Sequence, residues 1–306
     1  MEPYFSIVIP AYNAHKFIVP VLECIKKQTY PNYEVIVIEN GSQDDTYELL
    51  AAFQKNHDEM RLQIIKVPEN VGISGARNLG TQAANYEYVS YIDVDDFWYP
   101  DKLEAVSQEI IKNPEIDVFC HWENVVQYET GEVVKINKYP QVNNDDAYLD
   151  MLTYGNKLST SAITIKKNKM LDVKCFSPIY TSGEEDYDCW LRLARSGAKF
   201  LQIERPLGEY RLHGSNVSGN QLKHTDAVNH MLSDHIAVIK KDRLYPADMA
   251  AKIEKQVTAR GLYHKGRIYS QNKNKKEALN CLTKSIHLNP FKIKTYIAMA
   301  FAAVGR

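Results

Sequence analysis

The sequence predicts an α/β protein with a mostly parallel β-sheet flanked by helices, followed by an all-α extension at the C-terminus. Two observations lead to this prediction. Over residues 5–93, short runs rich in Val and Ile alternate with segments of helical apolar spacing, which is typical of a parallel sheet covered on both faces. Beyond residue 218 the strand pattern stops and helical periodicity continues. We therefore expect two domains, residues 1–218 and residues 219–306.

Four strands and three helices are predicted in the first 93 residues. The strand segments are apolar and β-branched, whereas the helical segments place an apolar residue at every third or fourth position. Gly41 and Gly72 interrupt the pattern after the second and third strands. In chain order the predicted elements are strand 5–10, helix 14–28, strand 33–39, helix 44–57, strand 62–67, helix 75–84 and strand 86–93. Further strands are predicted at residues 118–120 and 161–165.

The composition of the chain excludes several classes of protein. Its 306 residues carry a formal net charge of −1, so we expect no nucleic-acid partner. No apolar run approaches the roughly 20 residues that span a bilayer, and no basic segment precedes an apolar stretch at the N-terminus. The five cysteines are scattered and form no C-x-x-C pair. This argues against a zinc site or a disulfide framework and favours the reducing cytoplasm.

Polar residues follow each of the four predicted strands. In an open parallel sheet, ligands bind beyond the carboxyl ends of the strands, so these residues are expected to converge on one edge. Loops are polar in any case, but that tendency does not explain why so many short side chains come directly after strands. In order, the residues are Tyr12 and Asn13, Glu39 and Asn40, Ser74 with Arg77 and Asn78, and Asp93 with Asp95 and Asp96.

The acidic cluster at residues 93–96 ends the fourth strand and points to a divalent cation. Three carboxylates this close repel one another unless a cation or several hydrogen-bond donors neutralise them. Oxygen ligands suit Mg²⁺ or Mn²⁺, and those ions suit diphosphates. The alternative is an acidic turn in which Asp96 caps a helix that begins near residues 99–101. Spacing alone does not choose between the two.

The whole pattern resembles the family 2 glycosyltransferases, which are inverting enzymes with the GT-A fold. The resemblance extends over about residues 4–218. Residues 93–96 with Trp98 look like the D-x-D element of that family, and Glu185-Asp186 looks like its E-D element. The other matching stretches are residues 6–13, residues 37–42 with Asp45 and Thr46, residues 70–72 with residues 76–78, residues 190–192 and residues 210–213.

The resemblance implies a role for each matching residue. Asp95, Asp93 and His213 are expected to hold Mn²⁺ or Mg²⁺, with Asp95 as the main ligand. Asp186 is expected to be the general base. Contacts to the nucleotide sugar are expected from Ala11, Tyr12, Asn13, Glu39, Asn40, Arg77, Asp93 and Asp96.

Several of these residues have plainer alternatives. Asp186 lies in an acidic run before a predicted helix, where negative charge is favourable in itself. A lone histidine such as His213 is usually structural, and Tyr12 is equally a buried aromatic residue of the sheet edge. In the functional interpretation, Arg77 contacts the diphosphate or the nucleotide base. The plainer alternative is an ion pair between Arg77 and a surface carboxylate.

One departure from the family pattern concerns the nucleotide base. The family usually has Asp at the end of the second strand, where this chain has Glu39. By resemblance, a carboxylate there accepts a hydrogen bond from uracil N–H. The extra methylene moves this acceptor by about one carbon–carbon bond, which is large against the tolerance of a preorganised site. A UDP-sugar remains the expected donor, with a saccharide or lipid-linked acceptor.

In the C-terminal extension the sequence predicts helices at residues 222–241 and 247–270. Residues 262–290 have the spacing of a tetratricopeptide-like helical hairpin, with residues 272–275 as the turn between its two helices. A single hairpin cannot bury its apolar face alone. We therefore expect it to pack on the catalytic domain, on a second subunit or on a partner. Its lysines form either a solvated face or a weak attraction for the anionic inner face of the cytoplasmic membrane.

Two other functions compete with glycosyl transfer. A sugar nucleotidyltransferase also uses paired carboxylates on an α/β sheet, but it is expected to carry a glycine-rich phosphate loop after the first strand. Residues 10–13 of this chain are Pro-Ala-Tyr-Asn instead. A non-catalytic scaffold with a helical tail needs no metal-dependent nucleotide binding, whereas Asp93, Asp95 and Asp186 are all present.

Overall fold

The computed structural model describes residues 2–214 and 221–304, and the described chain divides into two compact units. Among these residues, the first unit comprises 2–148, 156–181 and 185–214. The second unit comprises the C-terminal helices from residue 221 together with two short segments, 149–155 and 182–184. The first unit carries the sheet, and the α/β class predicted from the sequence is confirmed.

The N-terminal half of the sheet is parallel. Its strands are β1 (Phe5–Ala11), β2 (Tyr33–Asn40), β3 (Leu62–Val67) and β4 (Tyr88–Tyr91). The spatial order is β3-β2-β1-β4, with all three pairings parallel. Every residue of β1 is buried, which accounts for its largely apolar sequence, because a central strand is covered on both faces. The carboxyl ends of these strands therefore share one edge.

The other half of the sheet is mixed. Its strands are β5 (Phe97–Trp98), β6 (Val118–Gln127), β7 (Val133–Asn137), β8 (Ile163–Lys166) and β9 (Phe200–Leu212). The order continues from β4 as β8-β6-β9-β5, and β7 pairs with β6. Strand β8 is antiparallel to both of its neighbours, whereas β9 is parallel to β6. The long β9 brings residues 210–212 back towards the carboxyl edge of the parallel half.

Helices cover the sheet and connect its strands. In chain order they are α1 (Ile18–Lys26), α2 (Thr46–Asn56), α3 (Gly72–Ala83), α4 (Lys102–Lys112), α5 (Ala147–Tyr154), α6 (Lys167–Asp172) and α7 (Glu185–Arg195). A short 3-10 helix, Thr160–Ala162, precedes β8. The main core contains the apolar face of α1 packed against β1 and β2, with Ile18, Leu22 and Ile25 fully buried.

Two predicted boundaries differ from the structure for local reasons. Helix α3 begins at Gly72 rather than residue 75, because the side chain of Asn70 accepts a hydrogen bond from Gly72 N at 2.7 Å. Strand β4 ends at Tyr91 rather than residue 93, because the chain turns there and Asp96 N donates to Asp93 O at 3.1 Å. The carboxylates of residues 93–96 therefore lie on a tight turn just beyond the strand.

The second unit contains four long helices. They are α8 (Gln221–Asp242), α9 (Ala247–Gln271), α10 (Lys275–Leu288) and α11 (Ile293–Ala303). Gly266 lies against Leu282, and Ser285 Oγ donates to Ala259 O at 2.7 Å. Because these pairings run in opposite directions along the chain, α9 and α10 form the antiparallel hairpin expected from the sequence. None of the helices in the two described stretches combines the length and hydrophobicity that crossing a bilayer requires.

Gly80 allows α3 to approach β1 closely. A Cβ atom at this position would lie 2.3 Å from Val8 Cγ1, well inside van der Waals contact. The contact matters for the site, because α3 also carries Arg77 one turn earlier. A glycine in a helix interior is normally less stable than alanine by about 1 kcal/mol, so this one is retained for space.

We expect Gly80→Ala to destabilise the protein by up to about 2 kcal/mol, since overpacking against Val8 costs about 1–3 kcal/mol and the better helix propensity of alanine recovers about 1 kcal/mol. Urea unfolding followed by fluorescence, with an unchanged slope, measures this loss. In a Val8→Ala background the same substitution should cost much less, because the contacting methyl groups are gone. An equal cost in both backgrounds would contradict the steric explanation.

Candidate active site

A buried guanidinium joins two parts of the chain that are distant in sequence. Arg77 on α3 donates from Nη1 to Glu185 Oε1 at 2.9 Å and from Nη2 to both carboxylate oxygens of Asp93, at 2.8 and 3.1 Å. The Arg77 side chain is only 4% exposed. The turn after β4 and the first turn of α7 therefore meet at one place, and Asp93 and Asp186 belong to the same site.

The charge of this cluster is not balanced. Burial by itself would lower the pKa of Arg77, but Asp93 and Glu185 raise it, so the guanidinium stays protonated. One cation thus faces two carboxylates, with Asp186 close by. Two buried atoms of the cluster, Arg77 Nε and Glu185 Oε2, have no hydrogen-bond partner in the part of the chain that the structure describes. Such atoms are typical of a site that a ligand or water completes.

Asp95 contacts His213. The distance from Asp95 Oδ2 to His213 Nε2 is 2.8 Å, and the Asp95 side chain is 24% exposed. The imidazole packs against the ring of Phe17, at 5.1 Å between centroids. Burial and the neighbouring Asp93 raise the pKa of Asp95. The structure therefore brings together two of the three predicted metal ligands, while Asp93 is held by Arg77.

The carboxylate oxygen fits Mn²⁺ or Mg²⁺ as a ligand, whereas the imidazole nitrogen suits a transition ion such as Mn²⁺ better than the harder Mg²⁺. No group of three or more His, Cys, Asp or Glu side chains suited to a metal occurs in residues 2–214 or 221–304. Ions of this kind are commonly held by one or two protein side chains together with substrate phosphates rather than by a complete protein cage. The donor set around Asp95 is therefore compatible with an ion that arrives with a diphosphate.

Asp96 is buried and has a supporting position. Its carboxylate accepts hydrogen bonds from Ser161 Oγ and, at 3.2 Å, from Arg211 N. Burial, together with Glu123 and Asp95, raises the pKa of Asp96 well above its usual range. The helix-capping alternative is wrong, because α4 begins after Asp101 and Asp96 bonds to β9 and the 3-10 helix instead.

Asp186 is a carboxylate of this site whose pKa lies near neutral pH. Burial and the adjacent Glu185 raise its pKa to about 7, although Arg77 opposes this rise. Its Oδ2 atom accepts a hydrogen bond from Thr160 Oγ1 at 3.2 Å. A carboxylate that titrates near neutral pH suits general base catalysis. The plainer explanation for Asp186, favourable negative charge at the start of a helix, also applies, since Asp186 lies in the first turn of α7.

The edge formed by β1 and β2 holds the remaining candidates. Ala11 is buried at the end of β1, whereas Tyr12 is 46% exposed and has an open ring face. Asn13 has a φ of 49° and is held by two hydrogen bonds, from its N to Ser42 Oγ at 3.1 Å and from Gln43 N to its Oδ1 at 2.8 Å. This part of the site is preorganised, with Tyr12 as its exposed aromatic surface.

Glu39 and Asn40 are both buried and bonded to loops. Glu39 Oε1 accepts a hydrogen bond from Ser42 N at 2.6 Å. Asn40 accepts from Val71 N at 3.0 Å and donates to Asn70 Oδ1 at 3.1 Å, which fixes the loop that leads into α3. Asn40 therefore positions α3, and through it Arg77.

Several residues of the site were missed in the sequence. Ser161 accepts a hydrogen bond from Asp93 N at 3.1 Å and donates to Asp96, while the adjacent Thr160 bonds Asp186. Burial raises the pKa of Glu123 on β6 to about 7, although Tyr139 donates to it at 2.7 Å and opposes the rise. Only the run Ser159-Thr160-Ser161 offered a signal, as hydroxyl residues at the beginning of a predicted strand.

A cavity of about 640 Å³ opens beside His213. Phe17 and Tyr128 contribute aromatic surface to its wall, and Asn13 and Lys16 contribute polar groups. It adjoins Asp95 through His213, so a molecule in this cavity would lie next to the carboxylate–imidazole pair.

Residues 6–171 match the sequence profile of glycosyl transferase family 2. The chain is 28% identical over 228 residues to AmsB, the amylovoran biosynthesis glycosyltransferase of Erwinia amylovora, covering 72% of this chain and 75% of AmsB. It is 29% identical over 219 residues to WfaP of Escherichia coli, named a UDP-Glc:alpha-D-GlcNAc-diphosphoundecaprenol beta-1,3-glucosyltransferase. That alignment covers 71% of this chain and 81% of WfaP.

Solved structures establish the GT-A fold. The complex of S. aureus TarS 1–349 with UDP-GlcNAc superposes with a TM-score of 0.66 at 17% identity, covering 99% of this chain and 89% of that chain. The mannosyltransferase PcManGT of Pyrobaculum calidifontis, bound to GDP-Man and Mn²⁺, gives a TM-score of 0.63 at 16% identity, covering 99% of this chain and 87% of that chain. Since the family profile spans more than half of the 306 residues, the chain belongs to glycosyl transferase family 2 and is an enzyme of that family.

Proposed function

We propose that the protein is a metal-dependent inverting glycosyltransferase that moves a sugar from a UDP-sugar to a hydroxyl acceptor. The observation behind this proposal is the Arg77 bridge. It joins Asp93, which follows β4, to Glu185, which directly precedes Asp186. One buried cation thus holds the proposed donor-binding turn and the residue directly before the proposed base, which together form a site for two substrates. Residues 1–218 form the catalytic domain in this proposal, and residues 219–306 the helical extension.

The nucleotide lies along the edge of β1 and β2. Tyr12 stacks on the base, Glu39 accepts from the base N–H, and Ala11 and Asn13 line the backbone side. The UDP in the WfaP name and the UDP-GlcNAc bound to TarS support a uracil nucleotide. Glu39 keeps one oxygen for the base while the other accepts from Ser42 N. Its longer side chain is thus anchored at one oxygen, which offsets the difference from Asp.

Asp95 and His213 hold the divalent ion, with Asp93 beside them at the ribose and diphosphate. When bound, Mn²⁺ or Mg²⁺ supplies positive charge that stabilises the departing diphosphate. The Mn²⁺ in the PcManGT complex supports an ion of this kind. Arg77 adds a fixed positive charge near the same phosphates, and Asp96 holds the turn through Ser161.

Asp186 takes the proton from the acceptor hydroxyl as that oxygen attacks the anomeric carbon. Attack on the face opposite the diphosphate inverts the configuration at this carbon. The carboxylate must be ionised to accept the proton, so activity is expected to fall as pH drops through about 7, the pKa of Asp186. Thr160 stabilises the ionised form by donating a hydrogen bond.

The acceptor belongs to surface polysaccharide synthesis, as a saccharide or a lipid-linked saccharide at the cytoplasmic face of the membrane. The names of AmsB and WfaP support this class, since one refers to amylovoran and the other to a diphosphoundecaprenol-linked sugar. A sugar nucleotidyltransferase is disfavoured because β1 ends in Pro10 and Ala11 rather than in a glycine-rich phosphate loop.

UDP binding is expected to strengthen when Mn²⁺ is present, and Asp95→Asn should abolish most of that gain. The substitution removes the negative charge of the proposed ligand while it keeps the shape of the side chain. Titration calorimetry with and without a chelator measures both effects. Asp58→Asn, an exposed change before β3, is the matched control. Equal UDP binding by the parent protein with and without the ion would eliminate the metal role.

Asp186→Asn should reduce transfer by about 10²- to 10⁴-fold, the range typical of a lost general base. UDP binding should remain, because this carboxylate does not contact the nucleotide in the proposal. A donor-consumption assay with a panel of nucleotide sugars measures transfer, and calorimetry measures binding. Asp172→Asn, at the exposed end of α6, controls for the loss of one negative charge. Full activity in Asp186→Asn would rule out the base assignment.

Thr160→Val should move the acid limb of the pH–rate profile upwards by about one pH unit. The hydrogen bond from Thr160 favours the ionised carboxylate, and such bonds to a charged group contribute about 1.5–3 kcal/mol, reduced here by partial exposure. Thr160→Ser retains the hydroxyl and should leave the profile unchanged. A profile of kcat/KM against pH for the three proteins decides the point, and coincident profiles would contradict it.

A further inference from the structure

Helix α11 has its small residues inside and its large apolar residues outside. Thr295 and Ala302 are buried against the helical unit, whereas Phe301 is half exposed. A helix that faces water shows the opposite arrangement. The exposed apolar residues, here called the α11 stripe, are Phe291, Ile293, Tyr296, Ile297, Phe301 and Val304. Exposure reaches 91% at Phe291 and 73% at Ile293, so this surface is available for contact.

The same part of the chain is strongly basic. Residues 260–304 contain nine lysines and arginines and a single acidic residue, Glu277. Arg260 is buried and Lys265 pairs with Asp226, and the other seven basic residues are at least partly exposed. The whole chain has a formal net charge of −1, so this imbalance is local. A cationic surface of this kind attracts an anionic partner over a distance of about 8–10 Å at physiological salt.

The cations and the stripe share one surface. Arg267 and Lys294 line a groove of about 360 Å³ between α9 and α11, together with Ile297 and Phe301. At the other end of α11, Lys275 Nζ donates to the carbonyl of Ala303. Positive charge thus borders exposed apolar side chains at both ends of the helix, as in helices that lie in a membrane interface.

Two other occupants fit this surface less well. A symmetric contact between two copies would place the patch against itself and bring like charges together. Nucleic acid would satisfy the cations, but phosphate contacts leave aliphatic side chains such as Ile293 and Ile297 exposed. An anionic bilayer fits both the apolar stripe and the cations, because the stripe can insert among acyl chains while the lysines contact anionic headgroups.

We propose that the α11 stripe and its surrounding cations dock on an anionic lipid bilayer, with α11 lying in the plane of the interface. Docking on a bilayer is linked to the proposed function in one respect: a lipid-linked acceptor would be located at the same bilayer surface. The docking itself depends on unit two alone and does not require that glycosyl transfer be correct.

The test is flotation of the full chain with phosphatidylcholine vesicles, with and without phosphatidylglycerol. The parent protein should float only with the anionic vesicles, and added salt should weaken binding. Arg267→Gln with Lys294→Gln should lower the partition coefficient about 25-fold, at about fivefold per cation. Ile297→Ser with Phe301→Ser should lower it at least tenfold, because the apolar insertion is lost.

Matched controls use exposed residues of the other unit. Lys55→Gln with Lys135→Gln removes two cations, and Ile111→Ser with Ile179→Ser removes two exposed apolar side chains. Equal losses in test and control variants, or equal binding to both vesicle types, would overturn the proposal. The proposal would also be overturned if the protein formed a dimer that the stripe variants dissociate while their binding to vesicles stays unchanged. UDP calorimetry on the same proteins reports separately on the proposed function, so the two failures are distinguishable.

Discussion

The site depends on one buried ionic contact, the guanidinium of Arg77 between Asp93 and Glu185. Three elements that are separated in sequence meet there, namely α3, the turn after β4 and the start of α7. Removing the cation would leave two carboxylates facing each other in a largely buried place, which is costly. The close packing at Gly80 and the loop held by Asn40 both serve this contact, because each fixes where α3 lies.

Arg77 also divides the roles of the two aspartates of the D-x-D element. Both oxygens of Asp93 accept hydrogen bonds from the guanidinium, whereas the contact of Asp95 with His213 uses a single oxygen, Oδ2. A divalent ion competes for lone pairs, so the carboxylate with the freer oxygen is the better ligand. Burial, and after it the neighbouring carboxylates, raises the pKa values of Asp95, Asp96 and Asp186, and added positive charge would lower them again.

The parallel half of the sheet could be predicted from the sequence, because its strands are local apolar runs separated by helices. The convergence of Arg77 and Asp93 on one edge followed from that topology. The mixed half could not be predicted in the same way. Strand β9 contains charged residues and a proline, and the residues that it pairs with on β6 lie some eighty positions earlier in the sequence. No local sequence pattern therefore predicts this pairing. Glu123 and Ser161 reach the site through this half, which is why they were missed.

The family profile ends at residue 171, so Asp186 and His213 lie outside the matched stretch. These two residues are included in the site because of their positions in the structure. The ion pair between Arg77 and Glu185 brings the first turn of α7 close to Asp93. His213, which directly follows β9, contacts Asp95. Both arrive from segments whose positions are set by the mixed half of the sheet. The parallel half therefore supplies the proposed donor-binding edge, while the mixed half supplies the proposed base and the proposed second metal ligand. We expect the mixed half to bind the acceptor, because Asp186, the proposed base that activates the acceptor hydroxyl, comes from that half.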